Sequence, residues 1–308
     1  MMILAGVDEA GLGPTLGPLA TAAAALSVPV SWDPDTPWDG LSAAFCREWG
    51  KKERRAGVAD SKILYRCGGM AALELTVGAF SFLVNGSYVP PGICDGAEHA
   101  CYDGFLDAFP LHCESAVVDA SAAAMRKALD GAGAGAVHYE TALLFEPELN
   151  RRYDSGLNKN EALLMETGRH LAALSEKFPD SAILAVVDKQ GGRNDYLPFL
   201  VALFPGVWPE TLETGAECSR YRMRRPGGVM EIRFQAKADR TSFATALASL
   251  AAKYMRERAM AGFNAWFGKR FPGVRATAGY PQDAARWLAE IRAGGSRATG
   301  LETLIRKR

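Results

Sequence analysis

A chain of 308 residues, 48% hydrophobic and 23% charged, is long and apolar enough to bury a sizeable core, which removes any need for disulfides or structural metals. Length alone admits one large α/β domain or two smaller ones. Its 35 basic and 35 acidic residues cancel to a formal net charge of zero, so a nucleic-acid partner would be held by a local basic patch and not by the field of the whole molecule.

In chain order, Met2 to Asp8 is a short apolar run that stops at two acids, Asp8 and Glu9, as a buried strand does when it delivers carboxylates to a sheet edge. Gly11, Gly13, Pro14, Gly17 and Pro18 make a tight turn region, and Leu19 to Val30 returns as a second strand. The alanine-rich run from Leu16 to Val30 has no basic segment in front of it, so it does not read as a secretion signal. No stretch reads as long and apolar enough to span a bilayer, and a soluble, cytoplasmic protein is expected.

Residues 31–60 read as a polar, proline-containing excursion with a short helix, ending in Val58-Ala59-Asp60-Ser61-Lys62. Thr76 to Val84 then reads as a strand, Ala97 to Phe109 as a helix and Ala116 to Asp119 as a short strand. The run Gly131 to Gly135 reads as a flexible joint and a boundary within an inserted segment. Cys94, His99, Cys101, His112 and Cys113 carry the atoms that bind zinc, yet their spacing fits no standard zinc module. Six cysteines without a C-x-x-C pair read as reduced thiols.

Leu164, Leu171, Leu174 and Phe178 recur at helical spacing, with Asn160 available as N-cap and Pro179 as terminator. Ala182 to Val187 is a buried strand ending at Asp188, the end at which open α/β sheets place ligands. Glu217 to Arg225 and Val229 to Lys237 flank Pro226-Gly227-Gly228 as a hairpin. Its alternation puts Arg220, Arg222 and Arg224 on one face, opposite Tyr221 and Met223. That stripe reads either as phosphate contacts or as the solvated outside of an edge strand. Asp239 follows, then a long helix with Phe243, Leu247, Leu250 and Tyr254 as its core stripe. Strands ending in acids and interleaved with helices predict an α/β fold with a mixed sheet.

Asp8, Glu9, Asp188 and Asp239 all lie at strand ends or a helix start, from which carboxylates can converge on one sheet edge. Taken singly, each reads as a cap or turn residue. Taken together, hard oxygen donors suit Mg²⁺ or Mn²⁺, and two such ions serve phosphodiester hydrolysis.

The segment Gly6-Val7-Asp8-Glu9-Ala10-Gly11-Leu12-Gly13-Pro14, continuing to Gly17-Pro18-Leu19, resembles the opening signature of the ribonuclease HII (type 2 ribonuclease H) family. Asp60-Ser61-Lys62 resembles that family's Asp-Ser-Lys motif, Val187-Asp188 its strand-end aspartate and Lys237-Ala238-Asp239 its Lys-Gly-Asp. Ser249, Ala252, Lys253 and Arg256 follow at the family's spacing, and Gly279-Tyr280-Pro281 resembles its late Gly-Tyr element.

The resemblance implies a single ribonuclease H-like domain over residues 1–308, a mixed sheet flanked by helices with insertions at approximately 66–160 and 190–236. It implies that Asp8, Glu9, Asp188 and Asp239 bind Mg²⁺ or Mn²⁺ and carry catalysis. Gly11, Leu12, Gly13, Ser61, Lys62 and Tyr280 become the implied substrate contacts, Tyr280 against a sugar. The implied activity is an endoribonuclease acting on RNA–DNA hybrids or at ribonucleotides in duplex DNA, with no membrane and no obligate protein partner. A non-catalytic nucleic-acid-binding paralogue and a nuclease of the same superfamily with another nucleic-acid substrate stand as alternatives. Leu12 departs from the family's Gly-Arg-Gly turn, which bears on substrate preference and not on the chemistry.

Overall fold

The structure is a computed structural model that describes residues 1–50, 53–107, 112–293 and 300–307. Its centre is the first strand, β1 (Met2–Ala10), in which Ile3, Leu4, Ala5 and Val7 are all buried, so both faces of the strand are covered. β2 (Leu19–Val28) runs antiparallel beside it and is buried almost throughout. The excursion that follows holds α1 (Thr36–Gly40), with β3 (Phe45–Cys46) and β4 (Ala56–Gly57) pairing in a small parallel patch.

α2 (Ser61–Asn85) starts at the Asp60 N-cap and bends at Gly69, whose φ of 63° lies outside the helical range. It contains the stretch Thr76 to Val84 that the sequence assigns to a strand. Thr76, Val77, Phe80 and Val84 favour β structure locally, but Leu73, Val77 and Phe80 join the helical core, and tertiary packing overrides the propensity. By length and composition α2 is also apolar enough to cross a bilayer, which corrects the expectation that no stretch is. In this structure over half of its apolar window is buried within the fold.

β5 (Gly92–Asp95) is an exposed edge strand. The helix expected from Ala97 to Phe109 is only a single 3₁₀ turn, Ala100–Tyr102, capped by the His99 side chain; residues 108 and 109 lie outside the described residues. Gly104, with φ at 66°, adopts a conformation that a continuing helix cannot contain. The expected short strand at Ala116 to Asp119 is instead the first turn of α3 (Ser115–Gly131), whose Val118, Ala122, Met125 and Leu129 are buried at helical spacing. The glycine run after it closes α3 and opens the next strand. Gly133 takes a positive φ of 62°, Ala134 N–H donates to Leu129 O at 2.9 Å, and the chain enters β6 (Gly135–Leu144) directly.

α4 (Glu146–Asp154) and α5 (Lys159–Lys177) follow. The cap of α5 is Asn158 and not Asn160: Asn158 Oδ1 accepts from the amides of Asn160 and Glu161, while Glu161 reaches back to the Asn158 amide at 2.8 Å. This reciprocal box satisfies amides that the first turn leaves without partners. β7 (Ile183–Asp188) and α6 (Leu197–Leu203) come next. β8 (Glu210–Thr214) leads to the expected hairpin, β9 (Cys218–Arg225) and β10 (Gly228–Gln235). α7 (Phe243–Arg270) and α8 (Pro281–Ala293) complete the layers, and a 3₁₀ turn lies at Leu301–Leu304.

The eight strands of the main sheet run in the order β5-β6-β2-β1-β7-β10-β9-β8. α2, α3, α7 and α8 cover one face, and α5 and α6 cover the other. The expected α/β architecture, a mixed sheet flanked by helices, is the one observed. α7 crosses β1 so closely that a Cβ on Gly6 would meet the Thr245 amide at 2.1 Å. β1 is parallel to β7, and β7 to β10, with Val7 opposite Val187 and Asp188 opposite Gln235. The C-terminal ends of these three strands therefore emerge at the same edge.

Candidate active site

That register decides where the acids go. Asp8 and Glu9 end β1, Asp188 ends β7 beside them, and the chain leaving β10 turns back through Lys237 to present Asp239. Carboxylate oxygens of Asp8, Glu9 and Asp188 all lie within 4.8 Å of one another, and no other such grouping of potential metal ligands occurs among the described residues. Asp239 lies outside that trio but lines the same cleft of about 380 Å³. The cleft is also lined by Gly11, Leu12, Gly13, Ser61, Lys62 and Tyr280. Motif segments that are distant in sequence thus meet around one cavity.

Hydrogen bonds fix the acids individually. Asp8 is nearly buried; its Oδ1 accepts from the Glu9 amide at 2.8 Å, and its carboxylate also meets the Ser249 hydroxyl. Ser249 Oγ also lies within hydrogen-bond distance of Ser61 Oγ, at 3.0 Å, which links α7 to the start of α2. Asp188 Oδ1 accepts from the Ala238 amide at 2.8 Å. Lys237, which precedes that amide, has φ 54° and is the only non-glycine residue with positive φ among the described residues. A left-handed non-glycine residue costs roughly 1–2 kcal/mol, so the surroundings enforce this turn towards the cleft.

Electrostatics at the site oppose the ionised state of the acids. Burial, then the charges of Glu9 and Asp188, hold the Asp8 carboxyl well above its usual range, against the Ser249 hydrogen bond. Glu9 is pushed up to about 7 by burial and by Asp188, with Lys62 pulling the other way. Burial also raises Asp188, against the Ala238 amide and Lys62. Asp239 rises to about 6, through burial and the charges of Asp60 and Asp188. Crowded carboxylates that resist ionisation are stabilised by a bound cation.

The flanking positions are also built. Asp60 caps α2 by accepting from the Lys62 amide at 3.0 Å, and its other oxygen pairs with Arg240 at 3.1 Å. Gly11 has φ at 91°, and a Cβ there would sit 2.4 Å from Arg256 Nε, so glycine is required on both counts. Leu12 packs against the buried apolar group of Leu19, Ala142, Leu144, Leu149 and Leu163, which gives a physical reason for an apolar side chain there. Tyr280 is half exposed, with the Arg256 guanidinium 5.7 Å from its ring centre.

Arg220, Arg222 and Arg224 share a face, as the alternation implies, but none lines the cleft. β9 is separated from β7 by β10. Arg220 donates to Glu231 at 2.9 Å, and Arg222 stands near both Glu231 and Glu210, so acids face part of the stripe. The cysteine–histidine cluster is dispersed: Cys94 is exposed, Cys101 is buried, and His99 stands against Trp266.

Sequence reasoning missed three residues that shape the site. Asp60 lies within a quoted motif and raises Asp239, but its spacing gives no sign of that. Arg256 was visible only as a spacing match on α7. Arg306, which donates to the Gly11 carbonyl at 2.6 Å, has no local signal at all.

An α/β protein with an acid-lined cleft at the carboxyl edge of its sheet is therefore the class that fold and site define. No protein-family model and no curated protein sequence matches the chain. Among solved structures it is similar to the ribonuclease HII of Archaeoglobus fulgidus, solved with PCNA, at 16% identity, 100% coverage of this chain and 95% of that one, with a TM-score of 0.46. It is similar to the ribonuclease H2 of Pyrococcus horikoshii OT3 at 15% identity, over 99% of this chain and 92% of that one, with a TM-score of 0.42. A third similarity, to Bst-RNase HIII in complex with Mn²⁺, has 17% identity and a TM-score of 0.42, over 98% of this chain but 64% of that one.

Proposed function

We propose that this protein is a divalent-metal-dependent endoribonuclease of the ribonuclease HII type, hydrolysing phosphodiesters of RNA in RNA–DNA hybrids or at ribonucleotides within duplex DNA. One observation carries the reading: residues from every motif on which the resemblance rests line a single cleft around the acids.

The donor set fits a hard dication. Asp8, Glu9 and Asp188 offer carboxylate oxygens within 4.8 Å of one another, with Asp239 on the same cleft. Burial first, then the charges of neighbouring acids on Asp8, Glu9 and Asp239, raise the pKa values of these acids, a cost of ionisation that Mg²⁺ or Mn²⁺ relieves. When bound, such ions activate water and stabilise the leaving oxygen of a phosphodiester.

The protein's own groups supply the rest. Ser249 and the Ala238 amide orient Asp8 and Asp188, so those carboxylates need no reorganisation as the reaction proceeds. Lys62, at the rim, offsets the charge of Glu9, Asp188 and Asp239 and is a phosphate contact. The glycine turn brings backbone close to a sugar 2′-hydroxyl, and the half-exposed ring of Tyr280 packs on the same sugar. Cleavage leaves 3′-hydroxyl and 5′-phosphate ends.

The test is incubation with an RNA–DNA hybrid, a duplex carrying one ribonucleotide and an all-DNA duplex, each with Mg²⁺ or Mn²⁺. Cutting of either ribonucleotide-containing substrate, with the all-DNA duplex intact, is the expected result. Cutting of DNA alone replaces the substrate assignment, and no cutting by folded protein removes the activity.

A further inference from the structure

Behind the wall of the cleft that carries the glycine turn and Tyr280 lies a buried charged group with no part in holding metal. Arg306 is 3% exposed. Its Nη1 donates to Gly11 O at 2.6 Å and its Nε to Gly17 O at 2.7 Å, and Nη2 also reaches Gly17 O. Its amide donates to Thr15 O at 2.9 Å. Glu146, fully buried, accepts the Gly17 amide at 2.6 Å and the Tyr102 hydroxyl at 2.8 Å.

The same loop is joined to the far side of the wall, because Thr15 N–H donates to Gly279 O at 2.7 Å. The segment that bears Arg306 is fastened to α4. Asn150 donates to Ile305 O at 2.8 Å and accepts the Lys307 amide at 2.7 Å, while Lys307 Nζ pairs with Asp154.

We propose that Arg306 is a positioning residue that joins the loop from Gly11 to Gly17 and the Gly279–Tyr280 turn into one preformed wall, against which the sugar–phosphate chain of a nucleic acid is seated. The seating rests on the nuclease reading given above. The clasp itself follows from chemistry. A trans peptide points its N–H opposite to its C=O, so holding Gly11 O on the buried guanidinium turns the Leu12 N–H away from it, and Leu12 lines the cleft. Only arginine brings several donors in a rigid fork to two carbonyls at once; a lysine at this depth presents one nitrogen. A loop rich in glycine and left unclasped would be ordered by the ligand itself, and that cost falls on binding. The effect therefore belongs in affinity and KM, with kcat changing less.

The experiment uses the full chain with Arg306→Lys and Arg306→Gln, and with Asn150→Ala as a milder variant that loosens the fastening from a distance. Amide hydrogen exchange is followed over residues 11–17 and 277–281 and compared with β7 and α7. Mn²⁺ is titrated onto the acids, and affinity for a duplex with one ribonucleotide is measured in Ca²⁺. Exchange is expected to rise by ~10-fold or more in the two stretches alone, and duplex affinity to fall by about as much, from lost charge-assisted hydrogen bonds. Mn²⁺ affinity is expected to stay within ~2-fold, since no metal-facing group is altered. Unchanged exchange in the two stretches, or equal acceleration in β7 and α7, overturns the clasp. Unchanged duplex affinity with a loosened wall overturns the seating. Wild-type protein that neither binds nor cuts the duplex removes the nuclease reading and the seating with it, while exchange still decides the clasp.

Discussion

Lys237 and Leu12 each depart from what local rules favour, and each departure has a measurable consequence. Lys237 holds a left-handed backbone at the turn that delivers Asp239. Glycine there removes a strain of roughly 1–2 kcal/mol but adds about 0.5–1 kcal/mol of unfolded-state entropy. Lys237→Gly is therefore expected to leave thermal stability unchanged or slightly higher, whereas Lys237→Val, β-branched at positive φ, lowers it. Thermal denaturation of the two variants checks this, and a glycine variant less stable than the valine one contradicts it. At Leu12 the side chain packs on the buried apolar group of Leu19, Ala142, Leu144, Leu149 and Leu163 while the residue also lines the cleft. Leu12→Arg is expected to strengthen binding to ribonucleotide-containing duplex and to steepen its salt dependence by about 0.9 in log K against log salt, one phosphate contact's share. It should also lower the melting temperature, because a cation replaces part of an apolar cluster. An unchanged salt slope means the turn does not face the phosphates.

At the scale of elements, β6 and α5 enclose a polar network whose titration can be read separately from the cleft. His138 on β6 is buried, with Lys177 Nζ 3.3 Å from its Nδ1 and Glu140 Oε2 3.8 Å from its Nε2. Burial pulls its pKa from 6.5 to about 4, the Glu140 charge opposing and Lys177 and His170 assisting. Between those values the unfolded chain binds a proton that the folded one refuses. Stability from this group is thus present above about 6.5 and lost as pH falls towards about 4. His138→Gln is expected to flatten that part of the stability–pH curve, measured by chemical denaturation; an unaltered slope would mean that His138 does not titrate as its burial requires. The elements themselves were unequally legible. β1, β2, β7, β9 and β10 carry unbroken or alternating apolar runs bounded by turn residues, and each was readable. The stretch from α2 to β6 was not. Its β-branched residues lie inside α2, which packs on α7, and α3, which packs on α2, and contacts of that kind leave no period in the local sequence.

For the whole molecule, the acids at the sheet edge were legible because the motifs around them are local, whereas Asp60 and Arg306 act through contacts across the fold and were not. On the proposed function, metal binding at the same cluster is expected to couple to stability. Glu9 is raised from 4.5 to about 7 and Asp239 from 3.8 to about 6, so in the absence of metal the folded state holds protons that the unfolded state has released. Metal-free stability from these groups is expected to fall as pH rises from about 4 to about 7. If these acids bind Mn²⁺ in place of those protons, Mn²⁺ should raise the melting temperature more at pH 8 than at pH 5. Equal stabilisation at both values would separate metal binding from these acids.

The measurement that bears most directly on the account is cleavage of a duplex carrying a single ribonucleotide, with Mg²⁺ or Mn²⁺, by the wild type and by Asp188→Asn and Asp239→Asn. The expected result is a cut on the 5′ side of the ribonucleotide by the wild type, leaving 3′-hydroxyl and 5′-phosphate ends. Either asparagine variant should lose turnover by ~100-fold or more, beyond the ~10–100-fold that altering a supporting residue costs. Duplex binding should be retained or improved, since a negative charge facing phosphate has gone. Folded wild-type protein that binds the duplex as tightly as both variants do, and that like them cuts nothing, would contradict the account and leave a nucleic-acid-binding protein in its place.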